Sequence, residues 1–94
     1  MESIIQKNHN CWVCQKLGMD IPGTDLHHCL HGTSRRKLAD EDGLTVYLCR
    51  PHHAALHDKG LYDLVLQQEA QQAWMDYYNK SVEDFIKRYG KSYL

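Results

Sequence analysis

Hydrophobic positions change their period along this chain, and the change divides it. Leu44-Thr45-Val46-Tyr47-Leu48 is a short run rich in β-branched and aromatic residues, which predicts a strand. A second short strand is predicted over 25–30, stopped by Gly32. Pro51 suits the first turn of a helix running to about Asp58, with Gly60 as its stop. Further on, Leu66, Ala70, Ala73, Trp74 and Tyr77 recur at spacings of three and four, the stripe of an amphipathic helix. Asn79 and Lys80 interrupt it. Ser81 with Asp84 then forms a capping-box pattern ahead of a second stripe, Val82, Phe85, Ile86 and Tyr89, closed by Gly90. These aromatics are expected to pack a core and not to serve as a base-stacking platform. Two stretches lack any period. Residues 1–10 are polar and predict a loosely held arm, and the charged residues 33–43 predict a loop with at most a helical turn. The expected class is α+β.

Size and charge narrow the picture. At 94 residues the chain has room for one domain: an arm over 1–10, a central unit over 11–60 and C-terminal helices over 61–94. So small a core gains from a structural metal. A formal charge of -1 argues against binding nucleic acid by bulk charge, leaving local clusters or metal for that task. No apolar run approaches the roughly 18 to 20 residues that span a bilayer, so no membrane association is expected. Met1-Glu2-Ser3-Ile4-Ile5-Gln6 lacks the features of a signal peptide, which makes the cytoplasm the expected compartment. In a reducing compartment four cysteines favour metal over disulfides.

The cysteines and histidines carry the chemistry. Cys11-x2-Cys14 and Cys49-x2-His52 are two ligand pairs, each able to wrap one side of a tetrahedral ion, and they predict a structural Zn2+ site. The 34 residues between the pairs exceed a simple ribbon or finger and imply a working element inserted between them. Cys29 competes for the fourth position, but it lies mid-strand without a paired neighbour. His52 is the preferred ligand and Cys29 a core residue. His27, His28, His53 and His57 form a second group. His53 and His57 are four apart on the predicted helix and share a face. Three imidazoles can hold a divalent ion while a fourth accepts a proton. Adjacent strand residues face opposite sides, so His27 and His28 share a site only where the strand bends or ends, as Gly32 permits. Arg35-Arg36-Lys37 is either a grip on a phosphate backbone or a solvated loop balanced by Asp40-Glu41-Asp42. Arg50 could contact phosphate or cap carbonyls of the zinc site.

Leu26-His27-His28, the strand Gly43-Leu44-Thr45-Val46-Tyr47-Leu48 and Cys49-Arg50-Pro51-His52-His53-x3-His57 resemble the HNH nucleases, the ββα-metal or His-Me finger superfamily. The likeness is greatest to small phage-encoded HNH endonucleases and covers Cys11 to Gly60. The tail from Phe85 to Leu94 resembles such proteins less specifically. The resemblance implies a ββα-metal finger with a zinc knuckle and two C-terminal helices. It implies DNA phosphodiester hydrolysis, with His28 as general base and His57 as its catalytic companion. His27, His53 and His57 would bind one catalytic divalent ion (Mg, Mn, Ni, Co or Zn), and Arg35, Arg36 and Lys37 would contact DNA. The family's central Asn is missing: no Asn lies between Asn10 and Asn79, and Leu44 stands near its place. Ser34 or one of Asp40 to Asp42 would have to supply its hydrogen bonding. A homodimer through the C-terminal helices would suit double-strand cutting. Two other functions fit the same residues: a non-catalytic zinc-binding module for DNA or protein, and a metal-dependent hydrolase of other phosphoesters.

Overall fold

The chain's two short β-rich runs pair with each other, and everything else is helical or looped around that pair. The computed structural model describes residues 1–94. Strands β1 (Asp25–His28) and β2 (Thr45–Leu48) are antiparallel, with Asp25 opposite Leu48 and His28 opposite Thr45. Helix α1 (Trp12–Lys16) precedes them and α2 (Thr33–Asp42) lies between them. Helices α3 (Arg50–Lys59), α4 (Asp63–Tyr78) and α5 (Val82–Tyr89) follow. The class is α+β, with five helices and a two-stranded sheet. No helix is long and apolar enough to cross a membrane.

Most expected elements form, and their ends follow from local chemistry. Pro51 sits in the first turn of α3, where its missing N–H costs nothing, and Gly60 ends the helix in the left-handed conformation. Ser81 and Asp84 exchange both hydrogen bonds of a capping box ahead of α5. Leu66, Ala70, Trp74, Phe85 and Tyr89 are buried in the common core, whereas Tyr77 and Ile86 of the expected stripes are exposed. Trp74, Phe85 and Tyr89 pack edge-to-face and stacked on one another, so they are core residues as expected.

Two expectations fail. Residues 33–43, whose charged composition predicts a loop, form the ten-residue helix α2. Its apolar face consists of little more than Leu38 and the fully buried Ala39, too few residues to reveal a period. Tertiary bonds hold it instead. Asp42 accepts hydrogen bonds from Trp74 Nε1 at 2.9 Å, Arg88 Nε at 2.6 Å and Tyr89 Oη, tying the end of α2 to α4 and α5. The N-terminal residues are not a loose arm either. Ile4 N–H donates to the Gly43 carbonyl at 2.9 Å, Tyr47 N–H donates to Gln6 Oε1 at 2.8 Å, and Ser3 Oγ donates to the Thr45 carbonyl. The segment thus satisfies backbone groups along β2. Gly43 makes this possible: its φ is +79°, and a Cβ there would meet the Glu2 carbonyl oxygen at 2.4 Å.

Candidate functional site

Helix α3 carries ligands to two separate clusters. Cys49 caps its N-terminus and His52 lies in its first turn, while Cys11 caps α1 and Cys14 lies inside it. Cys11 Sγ also accepts the Cys14 N–H at 3.4 Å, which fixes the first pair. One donor atom from each of Cys11, Cys14, Cys49 and His52 lies within 4.8 Å of the others. His52 Nδ1 is 3.6, 3.4 and 3.3 Å from the sulfurs of Cys11, Cys14 and Cys49, and the Cys14 and Cys49 sulfurs are 3.9 Å apart. A tetrahedron built on bonds of about 2.3 Å to sulfur and about 2.0 Å to nitrogen has edges of about 3.5 to 3.8 Å, so the four donors fit a zinc ion. Cys29 is fully buried outside this set, a core residue as expected, although β1 ends one residue before it.

The charges also call for a cation. Burial pushes the Cys11 thiol up, but the backbone of Cys49 and Cys14, with the His52 and Cys14 side chains, outweighs it and brings it to about 6. Burial and then the neighbouring Cys11 and Cys49 sulfurs push Cys14 up to about 12. The Cys11 thiolate is therefore easy to form and one at Cys14 beside it is not, unless a divalent ion compensates it.

The second cluster joins β1 to the other face of α3. His27, His53 and His57 each bring a donor within 4.8 Å of the other two. His53 Nε2 and His57 Nε2 face each other at 3.1 Å, while His53 Nδ1 donates to Asp25 Oδ2 at 3.0 Å. That bond fixes the His53 tautomer and leaves its Nε2 lone pair toward His57. The Asp25 carboxyl is held below the usual carboxylate range, chiefly by His53. His27 is 2% exposed, and its Nε2 is buried without a hydrogen-bond partner. Burial, reinforced by His53, His31, His57 and His28, pulls its pKa down to about 3, so the ring stays neutral. A buried, neutral, unpartnered imidazole nitrogen beside two others is the donor chemistry a divalent ion requires.

His28 does not join that set, as the alternation of a strand dictates, yet it lines the same cavity of about 810 Å3 as His27, His53 and His57. Its Nε2 lies 3.1 Å from Asp40 Oδ1 on α2, and that contact lowers the Asp40 pKa. An ionised carboxylate only accepts, so Nε2 carries the proton and Nδ1 holds the free lone pair. Arg36 and Lys37 also line the cavity. Arg35 does not: its Nε donates to the Tyr89 carbonyl at 2.8 Å, at the end of α5. Arg50 neither lines this cavity nor bonds carbonyls of the cysteine site but pairs with Asp25 at 3.2 Å.

Leu44, at the place of the central Asn, is fully buried, and its carbonyl accepts the Cys29 N–H at 3.0 Å. Of the polar residues expected to compensate, Asp40 reaches His28, Asp42 is spent on the core network and Ser34 is exposed. Sequence reasoning misses Asp25, His31 and Asp63. Asp25 had a signal, since it shares a strand face with His27 two residues on. His31 Nε2 and Asp63 Oδ1 lie 2.6 Å apart beside the cavity, joined by no sequence period. No protein-family model, curated protein or solved structure matches this chain.

Proposed function

We propose that the protein is a metal-dependent endonuclease of HNH type that hydrolyses DNA phosphodiester bonds. The observation that carries this is the position of His28. It is held by Asp40 and faces the same cavity as the three-donor set His27, His53 and His57. In this reading the antiparallel strands and α3 form a ββα-metal finger, and Cys11, Cys14, Cys49 and His52 form its zinc knuckle.

Each residue has a task. His28 Nδ1 takes the proton of a water directed at the phosphorus, and Asp40 stabilises the imidazolium that results. His27, His53 and His57 hold a divalent ion, with Asp25 fixing the His53 ring. When bound, that ion supplies Lewis acidity to the phosphoryl group and the departing 3′ oxygen. Arg36 and Lys37 neutralise charge on the strand beside the cut, and the products carry 5′-phosphate and 3′-hydroxyl ends. One copy would nick. Two copies paired through α4, where Leu64, Val65 and Tyr77 are exposed, would present a site to each strand.

Leu44 in place of Asn favours one rival, a zinc-stabilised binding module on the same scaffold. A plasmid-nicking assay over Mg2+, Mn2+, Ni2+, Co2+ and Zn2+, with elemental analysis of the protein, separates them. The nuclease predicts divalent-dependent nicking that falls by about 100- to 10,000-fold in His28→Ala. Unchanged cutting by His28→Ala would refute the base assignment. Zinc-loaded protein that cuts under no ion would establish the rival.

A further inference from the structure

His31 and Asp63 have no task in the mechanism above, yet they stand against it. His31 lies three residues beyond β1 and Asp63 opens α4, so the pair joins two elements that share no other polar contact at the cavity. One donor from each of His27, His31 and Asp63 lies within 4.8 Å of the other two. The ring centroids of His27 and His31 are 5.7 Å apart, the same separation as His27 and His57. His27 therefore belongs to two donor groups, which lie next to each other, since the His31 and His57 ring centroids are 6.1 Å apart. Its Nε2, buried and without a partner, is the independent sign of a missing ligand.

We propose that His27, His31 and Asp63 form a second seat for a divalent cation, alternative to the seat at His27, His53 and His57. This rests on the reading of the cavity as a metal site. An imidazole nitrogen has one lone pair and ligates one ion, so the two seats exclude each other at His27. Their chemistry differs. Three neutral imidazoles suit borderline ions such as Ni2+, Co2+ and Zn2+. Two imidazoles and a carboxylate add a negative charge and a hard oxygen, and suit Mn2+ or Fe2+. Occupying the second seat moves the His31 proton from Nε2, where it faces Asp63, to Nδ1, which frees the Nε2 lone pair. The identity of the ion thus decides whether it shares His27 with His53 and His57 or with His31 and Asp63.

The test is binding, not catalysis. Full-length protein with its cysteine site loaded with zinc is titrated with Mn2+ and with Ni2+ by calorimetry, and Mn2+ is followed by electron paramagnetic resonance. Both metals should bind one ion per cavity. Asp63→Asn and His31→Gln should weaken Mn2+ by about 10- to 100-fold and leave Ni2+ unchanged, and His57→Ala should do the reverse. His31→Gln guards against loss of folding in Asp63→Asn, since Asp63 also opens a helix. Mn2+ affinity unchanged in both variants, or two ions bound at once, overturns the second seat while leaving the three-histidine seat intact. Failure of both metals to bind the wild-type cavity removes both seats together.

Discussion

The two donor clusters on α3 differ in closure, and in the proposed reading that difference separates their roles. The cysteine cluster is closed by its ligand number: Cys11 and Cys14 are buried, Cys49 and His52 half-buried, and four donors complete a tetrahedron. The histidine cluster offers three donors at the edge of a cavity of about 810 Å3. A complete coordination shell leaves an ion nothing further to bind, which is the character of a structural site. An incomplete shell leaves positions for water or substrate. Charge follows the same division. Thiolates need the ion to exist together, whereas the buried His27 imidazole is neutral without it. One helix serves both because His52 and His53, adjacent in sequence, point about 100° apart around its axis.

The largest effect should come from breaking the four-donor cluster. Cys49→Ser, or strong chelation, removes an ion whose binding to such sites is coupled to folding by about 10 kcal/mol or more. Circular dichroism melts should show loss of the cooperative transition, in step with lost zinc. The open cluster should behave otherwise. Asp25→Asn frees the His53 ring and should weaken the cavity's ion by about 10- to 100-fold, with zinc content and melting little changed. If that variant unfolds like Cys49→Ser, the division between a structural and a working cluster is wrong. The smallest effect is titration of protein that holds zinc in its cysteine site and no ion in the histidine cavity. His27 has an ordinary value of 6.5 when unfolded and about 3 when folded, so below 6.5 only the unfolded chain gains a proton. Stability is therefore complete above 6.5 and falls as pH drops toward 3. Between about pH 7.5 and about pH 6 the loss should be about 0.8 kcal/mol, read from urea midpoints. A flat profile would show that His27 titrates normally and that its burial is not enforced.

Much of this was legible from residue types. Pairs such as Cys11-x2-Cys14 and the i, i+4 spacing of His53 and His57 are local, and the backbone of a short turn or helix turns them into shared geometry. Strand β2 and helices α3 to α5 were equally legible, since their hydrophobic period or end residues sit within one element. Helix α2 was not, because Asp42 is stabilised by Trp74, Arg88 and Tyr89 from the other end of the chain. Nor was the docking of residues 1–10, which depends on hydrogen bonds to β2 and not on an apolar pattern.

The amino-acid order alone determined which donors exist, how they are spaced within each element and that the three cysteines with His52 would group apart from His27, His53 and His57. Only tertiary structure decided that Asp40 meets His28, that Asp25 meets His53 and that His31 and Asp63 close on His27. The physical reason is that periodicity acts over a few residues, whereas these contacts join elements by packing, and packing has no sequence period to read.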